Sequence, residues 1–97
     1  MSYRQVNKLQ VDVNFGLIGQ NEFNATVSSI SAPWITSTSI LVASPAGIAT
    51  ADHDPDDYFC DQIHAYCTNI QPGVSFDLVA FAPNGTWGNY LINVLGV

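Results

Sequence analysis

The residues able to do chemistry concentrate between positions 52 and 67. Asp52-His53-Asp54-Pro55-Asp56-Asp57 brings carboxylates and an imidazole into one short run, a donor set suited to a divalent cation. The run is not a calcium-binding loop of the EF-hand type, since it has a proline inside and no glycine at the sixth position. Acids just ahead of a helix have a plainer role, because they cap free backbone N–H groups and complement the macrodipole. Asp52, His53, Asp54 and Asp56 therefore stand as metal candidates behind a capping role, and no metal or other cofactor is expected. His53 is expected to fix the turn by hydrogen bonding to backbone.

Asp57, Cys60, His64 and Cys67 follow at spacings of three, four and three, which sets them along one flank of a helix. Structural zinc sites draw ligands from two segments around a tight turn, as in paired C-x2-C units, and the chain has none. A cysteine paired with His64 on a single helix would lie beside it instead of converging with it on a substrate. A disulfide between the two cysteines is excluded on the same geometry. Seven helical residues rise roughly 10 Å, which is beyond disulfide reach. Reduced thiols filling the edge of a core are expected. There is no G-x-S-x-G elbow and no glycine-rich loop ahead of a helix. No catalytic residue is expected, and the chain is read as a non-enzyme.

Aromatic side chains supply the remaining binding chemistry. Tyr3, Trp34, Trp87 and Tyr90 could offer a stacking platform, with Trp87 set between Gly85 and Gly88 in an expected loop. Trp87 and Tyr90 are thus candidate ligand-binding residues. The competing reading places such aromatics on a sheet face or a subunit seam, where they are enriched generally.

The elements that must position these groups are mostly strands. Val11-Asp-Val-Asn-Phe15 and Phe23-Asn-Ala-Thr-Val-Ser-Ser-Ile30 alternate with period two, the pattern of half-buried strands, with Gly16 to Asn21 as the turn between them. Ala32-Pro33 ends the second strand, since proline cannot donate to a ladder. Trp34 to Ser44 is rich in aromatic and β-branched residues and reads as a further strand, closed by the turn Pro45-Ala-Gly47. Ser75 to Ala82 and Tyr90 to Leu95 read as two more strands, with Pro83 to Gly88 as a hairpin connection.

One segment departs from the β pattern. Asp54 is an N-cap residue, proline follows at the first helical position, and acids fill the first turn. Phe59, Ile63, Tyr66 and Ile70 fall on one apolar arc at helical period, and Gln71-Pro72-Gly73 is a stop. A single amphipathic helix over residues 54–70 is expected, lying across a sheet. The fold class is mainly β (α+β): an antiparallel β-sandwich of residues 11–97 with this one helix, preceded by residues 1–10 as an extended arm or loose first strand.

Composition narrows the function. The chain has 97 residues, enough for one core, and 47% of them are apolar. Charged residues make up only 10%, well under the usual quarter, so the surface is weakly protected against association. The net charge is −6, from two basic and eight acidic residues. Two cations cannot neutralise a nucleic-acid footprint, so nucleic acid is excluded as a partner. The same shortage disfavours an anionic membrane, and no stretch approaches a membrane span. Both cations, Arg4 and Lys8, lie in the expected arm, while every acid follows Lys8. An arm of this kind can dock on an acidic neighbour, which makes Tyr3, Arg4, Val6, Lys8 and Leu9 the candidate protein interface. The first residues lack the apolar core of a signal peptide, so retention in a cytoplasm is expected. The triplets Asn24-Ala-Thr and Asn84-Gly-Thr are then not expected to carry glycans.

The segments Ala32-Pro-Trp-Ile-Thr-Ser-Thr-Ser-Ile40, Ser44-Pro-Ala-Gly47, Thr50-Ala-Asp-His53, Gln71-Pro-Gly-Val-Ser-Phe-Asp77 and Ala82-Pro-Asn-Gly-Thr-Trp-Gly-Asn-Tyr90, with the ending Gly96-Val97, resemble a small β-domain of tailed-bacteriophage structural proteins. That domain is found at the ends of tail fibres and in head or tail accessory proteins. The resemblance spans roughly residues 23–97 and lies in composition and order, not in a chemical signature. It implies an antiparallel sandwich, symmetric self-association and no catalysis. With no fibre trunk ahead of the domain, it implies a small capsid decoration or cement subunit, or a tail accessory protein. Its partners would be copies of itself, as a homo-oligomer such as a trimer, and other virion proteins. It would reside in the virion after assembly in a host cytoplasm. The alternative it leaves open is a receptor- or carbohydrate-binding module of a phage tail.

Overall fold

A computed structural model describes residues 6–97. Six strands and one short helix follow in the order β1 (Asn7–Asn14), β2 (Glu22–Ser31), β3 (Leu41–Pro45), α1 (Pro55–Cys60), β4 (His64–Gln71), β5 (Ser75–Thr86) and β6 (Asn89–Gly96). The chain is mainly β. The strands form two antiparallel three-stranded sheets, ordered β1-β6-β3 and β2-β5-β4. The two central strands, β5 and β6, are consecutive in sequence yet lie in different sheets, so the Trp87-Gly88 corner carries the chain from one sheet to the other.

Period-two alternation decides which side chains turn inward. In the first sheet Leu9, Val11 and Val13 of β1 stand opposite Val94, Ile92 and Tyr90 of β6, all on the inner face. In the second, Phe76, Leu78, Ala80 and Ala82 of β5 are buried, with Ala25 and Val27 of β2 and Ala65 and Cys67 of β4 beside them. Both inner faces contribute to one hydrophobic cluster, completed by Phe15, Ala32, Ile35, Tyr58 and Ile63 from the connections and the helix. Each large side chain removed from water here contributes about 1.5–3 kcal/mol.

The helix is much shorter than the expected span of residues 54–70. It starts as expected, with Asp54 at the N-cap, Pro55 at the first position and Asp56 and Asp57 in the first turn. Asp57 reaches back to accept the Asp54 N–H at 3.2 Å. The helix then closes within two turns. Gln62 takes a left-handed conformation at φ 53°, its N–H donates to Phe59 O at 3.1 Å, and the Ile63 N–H donates to Tyr58 O at 3.1 Å. This pair of bonds is the Schellman closure, with glutamine where glycine is usual. Residues 64–71 continue as β4, with Ala65 and Cys67 inward and His64, Tyr66 and Thr68 outward.

Three other boundaries differ from expectation. Asn7 to Gln10, placed in the arm, are the first half of β1 and pair with residues 93–96 of β6. Of the expected strand from Trp34 to Ser44, only the part from Leu41 onward is strand. The residues before it turn on hydroxyl contacts, with Thr36 N–H donating to Ser39 Oγ at 2.9 Å. Finally, β5 runs past Ala82 to Thr86, absorbing residues 82–85 in an irregularity opposite Phe23, and it does not pair with β6, so Trp87-Gly88 is a corner between sheets and not the expected hairpin connection.

Candidate functional site

The chemistry-bearing residues of positions 52–61 gather around Tyr90, which is fully buried and so corrects the expectation of an exposed stacking residue. Inner-face register puts its ring opposite Val13, with Phe15 and Tyr58 meeting it edge-on at 5.8 and 4.8 Å. The His53 imidazole stacks on it at 4.1 Å. The Tyr90 hydroxyl donates to the Asp61 carboxylate, which also accepts from Thr86 Oγ1 at 2.8 Å. Burial, followed by the Asp61 carboxylate, pushes the phenol well above the ordinary tyrosine range. Tyr58 uses its hydroxyl oxygen to accept the Leu91 N–H at 2.9 Å. These bonds tie α1 and the turn after it to β6.

His53 occupies the centre of this polar nucleus and is itself buried. Nδ1 lies 3.0 Å from Asp57 Oδ2 and Nε2 lies 2.5 Å from the Trp87 carbonyl oxygen. Both neighbours are acceptors, so each ring nitrogen has a partner to which an N–H can donate. The expectation that His53 fixes a turn through backbone agrees with this geometry, although the turn it holds is the distant β5–β6 corner. Asp52 Oδ2 accepts the Asn89 N–H at 2.8 Å, and Asp54 and Asp56 point to solvent. Among the described residues no three such groups converge as metal ligands.

The cysteines separate. Cys60 ends α1 and is exposed, against the expectation of a core-edge thiol, while Cys67 sits on β4 packed against the core. Burial pushes the Cys67 thiol up from its ordinary value. His64 is on the outward face of β4, so the expected helical flank of Asp57, Cys60, His64 and Cys67 does not form.

Two of the surfaces carry aromatic side chains. The outer face of β2-β5-β4 carries the rows Asn24–Phe81–His64 and Thr26–Val79–Tyr66. Tyr66 is 60% exposed, and its ring meets Phe81 edge-on at 5.7 Å. Next along β5, Asp77 accepts the Ser29 N–H at 2.8 Å and the Asn69 amide at 3.0 Å. Ser29 and Asn69 lie where β2 and β4 lose register with β5, and both have positive φ, so Asp77 clamps an irregularity on each side. Those bonds, the Ser29 N–H first, hold its carboxyl below the usual range. The residues expected at the interface divide. Val6 and Lys8 are exposed, Leu9 is half-buried against the core and also lines a surface cleft beside Lys8, and Tyr3 and Arg4 lie outside the described residues.

The second surface is a cleft of about 280 Å³ between the β1–β2 turn and the β5–β6 corner. Asn14, Leu17, Ile18, Asp52, Trp87 and Asn89 line it. Backbone bonds zip the two turns together: Phe15 N–H donates to Gly88 O and Gly88 N–H to Gly16 O, each at 2.8 Å. Gly88 is at φ +72°, and a Cβ there would come within 2.8 Å of the Asp52 carboxylate, so glycine alone lets Asp52 approach the corner. Trp87 was foreseen from its flanking glycines. Asp52 is expected only as a metal candidate and Asn14 not at all, because only the folded loops bring them to Trp87.

Among the described residues no helix is long and apolar enough to cross a membrane. Compared with protein-family models, with curated proteins and with solved structures, the chain finds no match.

Proposed function

We propose that this chain is a non-enzymatic packing module, a small bacteriophage virion subunit of the capsid decoration, cement or tail-accessory kind. In this reading the two sheets close face to face as a β-sandwich, with the shared hydrophobic cluster as its filling. The module acts as a homo-oligomer and through contacts with other virion proteins.

The observation that carries the proposal is the aromatic outer face of β2-β5-β4. Tyr66 and Phe81 form an ordered pair in solvent, with Val79 beside them and uncharged Asn24 and Thr26 in the same rows. Desolvated aromatic clusters surrounded by polar groups anchor protein–protein interfaces. The low charge of the whole chain supports the same reading. The phage assignment rests on the sequence resemblance.

Size-exclusion chromatography with light scattering tests the packing role, on wild type and on the Tyr66→Ser/Phe81→Ser pair. Wild type should self-associate and the pair should be monomeric and folded. A wild type that stays monomeric at high concentration and is missing from purified particles would refute the proposal. Deleting residues 1–5 tests the arm separately. A longer deletion would remove part of β1 and confuse loss of the arm with loss of the sheet.

A further inference from the structure

We propose that the cleft beside Trp87 is a binding site for one neutral pyranose unit. The inference uses none of the residues on the aromatic packing face, so it stands or falls apart from that reading.

The lining is divided as sugar recognition requires. Leu17 and Ile18, each 74% exposed, form an apolar wall on one turn, and Trp87 stands on the other. A pyranose presents C–H faces that pack on such surfaces and hydroxyls around its rim. The polar groups at hand match those hydroxyls. Asp52 uses Oδ2 on the Asn89 N–H, and Asn14 uses Oδ1 on the Gly16 N–H at 2.7 Å. Among the described residues neither Asp52 Oδ1 nor Asn14 Nδ2 has a protein hydrogen-bond partner. One is an acceptor and the other a donor, and each side chain is already fixed by the bond at its other atom. A hydroxyl donating to Asp52 and a neighbouring hydroxyl accepting from Asn14 would therefore meet preorganised groups.

Size and charge narrow the ligand. The cleft lies just under the range of about 300–1,000 Å³ found for drug-sized ligands, which suits a single ring. Asp52 is at the wall, and Asp12 lies behind it, accepting the Asn89 amide at 2.9 Å. Lys8 is at the far end of β1, opposite Leu95, whereas the cleft begins where Asn14 meets Asn89. The local field is negative, so phosphates, uronates and sialic acids are disfavoured against neutral hexoses.

Two-dimensional amide NMR on the full chain tests this, with methyl glycosides of glucose, galactose and mannose and with N-acetylglucosamine, and with glucuronate as the anionic control. At least one neutral sugar should shift the amides of residues 16–18, 52 and 87–89 saturably, with millimolar affinity and no comparable effect from glucuronate. Asp52→Asn keeps an acceptor for the Asn89 N–H and should weaken binding by about tenfold or more, since one charged hydrogen bond is lost. The proposal is overturned if no neutral sugar shifts those amides, if glucuronate binds as well, or if a folded Asp52→Asn binds unchanged.

Discussion

Gly96→Ala should destabilise the protein, although the usual effect of that substitution in a strand is the opposite. Gly96 is not in the left-handed region, and replacing such a glycine by alanine ordinarily stabilises a strand by about 0.5–1 kcal/mol. Here a Cβ would fall 2.3 Å from Trp34 Cη2, 2.7 Å from Trp34 Cζ3 and 2.6 Å from Leu41 Cδ2. Carbon atoms in ordinary contact stand about 3.5–4.0 Å apart, so the indole must retreat by more than about 1 Å. The ring is half-buried, but the backbone that carries it is held. The adjoining Ala32 and Ile35 are fully buried, and Ile35 is held by its N–H on Ala32 O at 3.0 Å and by Gly73 N–H on its own carbonyl at 2.7 Å. Overpacking against a held neighbour costs roughly 1–3 kcal/mol, and each kcal/mol lowers the melting temperature of a domain this size by about 4–8 °C. A fall of roughly 5–20 °C is expected, read by circular dichroism. Trp34→Leu should recover much of that loss in the Gly96→Ala background while costing stability in wild type, a coupling of about 1 kcal/mol or more. An unchanged melting temperature, or an equal effect of Trp34→Leu in both backgrounds, would refute the steric argument.

Three further outcomes follow from the same geometry. His53→Ala should cost about 2–4 kcal/mol in denaturant unfolding, because it leaves the Trp87 carbonyl without its donor and opens a cavity on Tyr90; a loss within about 0.5 kcal/mol would mean the nucleus is not structural. The Asp77 carboxyl is held below its ordinary range when folded, so its contribution is present above the unfolded value, about pH 4, and is lost as pH falls through the depressed folded value. Denaturation midpoints should therefore drop less steeply with acid in Asp77→Asn than in wild type, and parallel acid profiles would count against the clamp. A colorimetric thiol reagent should titrate Cys60 rapidly in the native protein and Cys67 only slowly or on unfolding, because burial both shields the second thiol and raises its pKa. Equal rates would contradict the inward placement of Cys67.

Much of the β framework was legible because period two is written directly into it. Val11 and Val13, Ala25 and Val27, and the β5 and β6 alternations each declare an inner face without reference to any partner. The start of the helix was equally plain, since Asp54, Pro55 and two following acids satisfy local requirements of a helix N-terminus. Its end was not. Phe59, Ile63, Tyr66 and Ile70 fit a helical period, yet Ala65 and Cys67 fit a strand, and a short segment can satisfy both patterns. Pairing with β5 decided between them, and Gln62 closed the helix without the glycine that would have announced it.

The candidate site divides in the same way. Trp87 beside Gly88 marks a corner from composition alone, and the scarcity of cations is likewise read from the sequence alone. Whether an aromatic faces solvent or core was beyond local pattern: Tyr90 is buried because register sets it opposite Val13, under the His53 ring. Asn14 and Asp52 reach Trp87 only because β1 and β6 pair along their whole length, which brings the two turns to one end of the sheet. Local chemistry determined the alternating parts of β1, β2, β5 and β6, where the helix begins and what charge the chain carries, since those depend on near neighbours in the chain. Tertiary structure alone decided the helix end, the burial of Tyr90 and the assembly of the cleft, because each depends on hydrogen bonds and packing between residues far apart in sequence.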